Sequence, residues 1–223
     1  VTVRNLFYNI PARRKFLKSA DVEGGRITVL VNQFALAYPA LHFYLISNGR
    51  QVFQSTGSGS LYDALVKVFG LETAKQMIQV QGQQTADSQQ QAAVSGQPLA
   101  VAVSGYVSQP YLTRANRTYL SFFVNHRWVQ SPLLGRAVED AYHTMLPVGR
   151  HPIAVLNVTV PPGDLDVNVH PAKSEVKFLH EGEVFVAVQK AVRAALTQHA
   201  AIPEFAPSPV SGPQSAIQGP LSH

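Results

Sequence analysis

Lys173 closes the run Asp166-Val167-Asn168-Val169-His170-Pro171-Ala172-Lys173 and is followed by Ser174-Glu175-Val176-Lys177-Phe178. The apolar alternation on either side reads as two short strands, so Lys173 is expected on a tight loop between them. A lysine there is a compact, mobile point charge with three donors. Aimed at a phosphoryl group, it would stabilise charge developing on the oxygens. The bland alternative is a solvated loop cation, the usual fate of a lysine. Asn168 and His170 are expected to brace the loop through backbone hydrogen bonds rather than to do chemistry.

A second set of residues lies at the other end of the chain. Residues 1–20 contain Arg4, Arg13, Arg14, Lys15 and Lys18 and no acid, while the whole chain of 223 residues carries a net charge of +5. This one cluster therefore supplies the entire excess. It reads either as a footprint for nucleic acid or another polyanion, or as a solvated helix face.

Several kinds of chemistry are excluded or unsupported. There is no cysteine, which removes disulfide and thiolate chemistry and is compatible with a reducing compartment. The eight histidines show no metal-ligand spacing, so no protein-built metal site is expected. Gly57-Ser58-Gly59-Ser60 lacks the Gly-Lys-Ser/Thr ending of a phosphate loop. No apolar run reaches the ~18 residues of a membrane span, and the N-terminus has no secretory pattern.

The positioning elements follow from periodicity. Val1–Phe7 alternates like a strand. Asn9 before Ile10-Pro11 suggests a helix N-cap, with Phe16 and Leu17 turned inward. A helix is expected over Ile27–Ala37, and strand-like runs at 41–46 and 51–54 flank the hairpin signal Asn48-Gly49. Residues 61–69 read as an amphipathic helix capped by Gly70. Residues 81–98 hold seven Gln and read as a Gln-rich surface loop. Strands are expected again at 99–107, 118–124, 153–160 and 175–179, and helices at 133–145 and 182–197. Trp128 and Tyr142 are read as packing residues. Residues 199–223, with five prolines and one charge, read as a disordered linker. The mixture suits an α+β two-layer sandwich, with a mixed β-sheet and helices on one face.

Two strings are more specific than this. Val3-Arg4-Asn5-Leu6-Phe7-Tyr8-Asn9-Ile10-Pro11-Ala12-Arg13-Arg14-Lys15-Phe16-Leu17 and the Lys173 run together resemble the MutL family of DNA mismatch-repair ATPases, members of the GHKL group. Between them, Phe122-Phe123-Val124-Asn125-His126-Arg127 resembles the family's FFVNGR segment, with His126 in place of the glycine. The resemblance implies that residues 1–39 end a nucleotide-binding domain and that 40–198 form a transducer domain of the two-layer kind. It implies that Lys173 touches the γ-phosphate of ATP, as a catalytic and nucleotide-binding residue, with Thr2 and Asn168 as further binding candidates. Thr2 is the weaker of these, because the glycine of the family's Gly-Thr motif is missing before it.

Further implications concern partners. Lys15, Lys18, Arg14 and Arg127 would contact DNA phosphates without sequence preference. The full-length protein would bind ATP and Mg²⁺ mainly through an upstream domain, act as an ATPase and form a homodimer. It would signal to a mismatch-recognition protein of the MutS type and work in the bacterial cytoplasm, associated with the nucleoid. Residues 1–223 alone are expected to be inactive in hydrolysis. The competing readings are the transducer of another GHKL machine, such as a type II topoisomerase, or a non-catalytic DNA-binding module.

Overall fold

The computed structural model describes residues 1–84, 100–166 and 176–200. The chain passes through α1 (Pro11–Arg14), α2 (Ala20–Ala37), β1 (Tyr44–Ser47), β2 (Arg50–Gln54), α3 (Leu61–Phe69), α4 (Leu71–Ala74), β3 (Met77–Gln84) and β4 (Val101–Ser108). It continues through β5 (Thr113–Arg114), β6 (Leu120–Val124), β7 (Arg127–Val129), α5 (Pro132–Tyr142), β8 (His151–Pro152), β9 (Ala154–Thr159), β10 (Leu165–Asp166), β11 (Lys177–Phe178) and α6 (Glu181–Ala200).

Five strands form the central sheet in the order β3-β4-β9-β6-β7. Only β6 and β9 run parallel; the other neighbours are antiparallel. A parallel pair needs a crossover, and the connection from β6 to β9 runs through β7, α5 and β8.

One face of the sheet is covered by α5 and α6. Val80, Val103, Phe122, Leu156 and Val158 pack there against Leu134, Val138, Tyr142, Val188 and Val192 in a single buried cluster. This is the α+β sandwich expected from sequence. The opposite face is covered as well. Phe123 and Val155, with Trp128 and Tyr106 beside them, meet Leu36 and Ala37 of α2, Ala64 and Leu65 of α3 and Ala74 of α4. Tyr142 is fully buried, and its hydroxyl donates to the carbonyl of Ser108. Trp128 is half-buried at the edge of the second cluster.

Local chemistry accounts for the elements that were legible. The Ser60 hydroxyl accepts the Asp63 N–H at the start of α3, and Gly70 ends it at φ +87°. Asn48 and Gly49, at φ +50° and +73°, turn β1 back onto β2. Ser131 caps α5 by accepting from Leu134 N.

Other expectations are corrected. Val1–Phe7 is not a strand: no partner strand pairs with it among the described residues, and Asn5 and Phe7 sit at positive φ. Alternation alone cannot make a strand without a neighbour to complete its ladder. Asn9 does not cap α1; Ile10 occupies that position without a side-chain bond. Phe16 and Leu17 point outward, at 79% and 39% exposure. Residues 81–84, expected to open the Gln-rich loop, belong to β3 and pair with β4 through Gln84↔Val101. Backbone ladders do not depend on side-chain polarity, and Gly82 lets α6 approach: a Cβ there would lie 2.6 Å from Ala191 Cβ. The rest of that loop, 85–98, lies outside the described residues, as does 201–223. Helix α6 runs through His199 and Ala200, beyond the expected start of the linker.

Candidate functional site

The Lys173 run begins and ends on paired backbone. β10 and β11 are antiparallel, with Leu165 opposite Phe178 and Asp166 opposite Lys177. Phe178 is buried in the main core, which pins this pair to the sandwich. Leu179 N donates to Asp164 O at 2.9 Å and continues the pairing past the strands. Lys173, Asn168 and His170 themselves lie outside the described residues.

The Phe122–Arg127 segment forms β6, a two-residue turn and the start of β7. Val124 pairs with Arg127, while Asn125 and His126 occupy the turn at φ +49° and +65°. Both central residues at positive φ is the geometry that suits a two-residue hairpin. Asn tolerates it; His126 carries a side chain where the family pattern has glycine, so the conformation is strained.

Contacts from both turn residues hold it, beginning with the Asn125 backbone N–H, which donates to Val158 O at 3.1 Å. The Asn125 amide bridges to Val160, donating to its carbonyl and accepting its N–H. His126 N donates to Asn157 Oδ1 at 3.0 Å. The His126 ring stacks on Tyr38, the C-cap of α2, with centroids 6.4 Å apart. The turn therefore touches both the segment leading to β10 and the end of α2.

The basic cluster is fully presented. Arg4, Arg13, Arg14, Lys15 and Lys18 are all exposed. Arg13 lies over the ring of Phe7, 6.0 Å from its centroid, which braces it within its own segment. Lys18 is anchored through its backbone N–H to Glu23 Oε1, and Glu23 also pairs with Arg26. Arg14, Lys15 and Lys18 form no ion pair among the described residues. Thr2 is exposed.

Arg127 is exposed too, but the structure does not place it with the N-terminal cations. It sits beside the C-terminal end of α2, whereas Lys15 and Lys18 precede its N-terminal end. Eighteen helical residues separate these ends, roughly 27 Å at 1.5 Å per residue. A phosphate-contacting surface using both sets would have to run along α2.

The described residues do not themselves fit a nucleotide or Mg²⁺ site. Among them, no group of His, Asp or Glu is placed to hold a metal. The only adjacent glycines, Gly24 and Gly25, lie inside α2 and not in a loop whose N–H groups face outward.

Two features escaped the sequence reading. Asn125 is a structural tie, signalled only by Asn at a hairpin turn. A charged node also links β8, α5 and the 117–119 turn. Arg117 donates from Nε and Nη2 to the two oxygens of Glu139, each at 2.8 Å, and His151 Nδ1 lies 2.7 Å from Glu139 Oε1. Burial pushes the Glu139 carboxyl up, but the hydrogen bonds and charges of Arg117 and His151 outweigh it. The group is held below its ordinary value.

Comparison with known proteins bears on this arrangement. The family described as DNA mismatch repair protein, C-terminal domain, matches residues 65–197, from α3 into α6. The DNA mismatch repair protein MutL of Desulforudis audaxviator is 44% identical over 203 residues, covering 91% of this chain and 34% of that protein. MutL of Streptococcus thermophilus is 40% identical over 225 residues, covering 99% and 33%. The chain thus spans about a third of the length of these relatives. Among solved structures, the N-terminal domain of a DNA repair protein superposes with a TM-score of 0.72 at 21% identity, covering 89% of this chain and 61% of that one. The ATPase domain of the mismatch repair endonuclease MutL of Aquifex aeolicus superposes with 0.53 at 20% identity, covering 85% and 59%. At those identities the likeness concerns the fold. With the family match over most of the sandwich and the MutL relatives along nearly the whole sequence, this chain belongs to the MutL family of DNA mismatch-repair proteins.

Proposed function

We propose that this chain is the transducer part of a MutL-type ATPase, preceded in residues 1–39 by the end of its nucleotide-binding domain. In this reading Lys173 contacts the γ-phosphate of an ATP held mainly by another part of the full-length protein. It thereby reports nucleotide state to the sandwich. The observation that carries the reading is the anchoring of the Lys173 run. Asp166 and Lys177 are paired at its base, and Asn125 ties the β6–β7 turn to Val160 just upstream. A displacement of the run would be felt at the turn, and through the His126–Tyr38 stack at the end of α2.

The exposed cations Arg14, Lys15, Lys18 and Arg127 then supply a DNA surface that reads phosphates and not bases. Partners of the full-length protein would be DNA, a second copy of itself and a mismatch-recognition protein of the MutS type, in the cytoplasm. No helix among the described residues is long and apolar enough to cross a membrane.

The test is Lys173→Ala in the full-length protein. Loss of ATP turnover together with loss of nucleotide-induced dimerisation is expected. If both persist unchanged, the sensing role is wrong and a DNA-binding module without a nucleotide role becomes the better description. Residues 1–223 alone should show no ATP turnover.

A further inference from the structure

β3 is one outer edge of the five-stranded sheet. Its register on β4 runs without a shift over eight pairs, from Met77↔Ser108 to Gln84↔Val101. The Gln109 N–H donates to the Gln76 carbonyl at 2.9 Å and adds a bonded pair just before these. Bonded and non-bonded pairs alternate along an antiparallel ladder. Ile78, Val80, Gly82 and Gln84 therefore turn their backbone groups toward β4, and Met77, Gln79, Gln81 and Gln83 turn theirs away from it. The far side of β4 agrees. Ser108, opposite Met77, donates its N–H to the Ile153 carbonyl at 2.8 Å and so faces β9. Four N–H and four C=O groups thus line the outer side of β3, and no strand pairs with them among the described residues.

Edge strands are ordinarily protected by charge, by proline, by a bulge or by being short. β3 has none of these. Met77–Gln84 contains no charged residue and no proline, and at eight residues it is as long as any strand of the sheet. Its exposed side chains, Gln79, Gln81 and Gln83, are neutral amides. Each carries a donor and an acceptor, so one glutamine can hydrogen-bond to another. Such a strand is its own complement. Antiparallel to a copy of itself it meets no like charge, whereas an acidic or a basic edge would repel itself. None of these residues belongs to the Lys173 run or the basic cluster.

We propose that the β3 edge joins two copies of this chain, antiparallel, into one continuous sheet. One register uses all four outward-facing residues. It sets Gln79 of one copy opposite Gln81 of the other and Met77 opposite Gln83, with the two-fold axis at Val80. A contact built from one strand pair and polar side chains is small, so the dimer is weak and reversible. It needs neither nucleotide nor Lys173 and is therefore separate from the nucleotide-dependent dimerisation proposed above.

The test uses the 223-residue chain without nucleotide. Sedimentation equilibrium should show monomer and dimer in exchange, with a Kd of about 0.1 mM or tighter. Hydrogen exchange at the Gln79 and Gln81 amides should slow as protein concentration rises, while the Val80 amide, already turned to β4, should not respond. Gln79→Lys with Gln81→Lys sets lysine against lysine twice across the seam and should weaken association at least about ten-fold. Gln79→Lys with Gln81→Glu sets lysine against glutamate in the same register and should restore it, in a salt-sensitive way. Both positions are exposed, so a urea midpoint near that of the parent chain checks that each variant folds. The proposal is overturned by a chain that stays monomeric up to about 1 mM. Association that survives the double lysine change overturns it too, as does a lysine–glutamate variant that associates no better than the double lysine one. Protection of the Gln79 and Gln81 amides that is independent of concentration would overturn it as well, because the edge would then be covered from within the chain.

Discussion

Asn125 and Val160 are joined by two reciprocal hydrogen bonds, each 3.1 Å, although 35 residues separate them. The amide side chain takes the place of a strand neighbour for the residue that leaves β9. Asn is suited to this position twice over, because it also tolerates the positive φ of the turn. Asn125→Ala should therefore cost about 2–3 kcal/mol, from two lost bonds and a less tolerant backbone. Urea denaturation is the check: the midpoint should fall while the slope stays constant. Asn125→Asp keeps the acceptor and loses the donor, so its midpoint should lie between the two.

Gly105 lies where β4 and β9 approach most closely. A Cβ there would stand 2.1 Å from the Val155 carbonyl oxygen, and the residue has φ +140°. Nothing flexible can move aside, because the obstacle is backbone in the centre of the sheet. Gly105→Ala should destabilise by more than about 4 kcal/mol and leave little soluble, cooperatively folding protein. An equivalent change at Gly163, with open space around it, should be near neutral in the same thermal melt.

Glu139 predicts a pH dependence. Its folded pKa is depressed by Arg117 and His151, so the stability it contributes is present above the ordinary carboxylate value of about 4.3. That contribution is lost as pH falls through the lower folded value. Glu139→Gln should cost about 1 kcal/mol at pH 7, since the node is partly exposed. The gap between the two proteins should close below about pH 4. A gap that persists unchanged to pH 2 would mean that the charge is not the source.

The N-terminal cations can be tested by salt titration. Lys15→Glu with Lys18→Glu should lower DNA affinity and reduce the slope of log K against log salt by about 1.8, for two phosphate contacts on duplex DNA. Arg127→Glu should lower the slope independently, because it lies along α2 from the other pair. If neither variant changes the slope, the proposed DNA surface is wrong.

Much of this molecule was legible before folding was considered. The helix Leu61–Phe69 carries its start in Ser60 and its stop in Gly70, and the first hairpin is encoded by Asn48-Gly49. These are local interactions between residues a few positions apart, so the sequence contains them whole. The Lys173 run and the basic cluster were likewise visible as strings, because residue type and order are what they consist of.

What the sequence alone could not determine depends on partners distant in the chain. Val1–Phe7 has the alternation of a strand but no neighbour to pair with among the described residues, while Gln81–Gln84 lacks that alternation and is a strand because β4 lies beside it. The order β3-β4-β9-β6-β7 places Phe123 and Val155 under α3, and no periodicity specifies that. Asn125 became a tie and Glu139 a node only when β9 and the 117–119 turn were brought against them. Hydrogen bonds and burial are properties of pairs. The chain by itself determined which side chains were available, and the tertiary structure decided which of them meet.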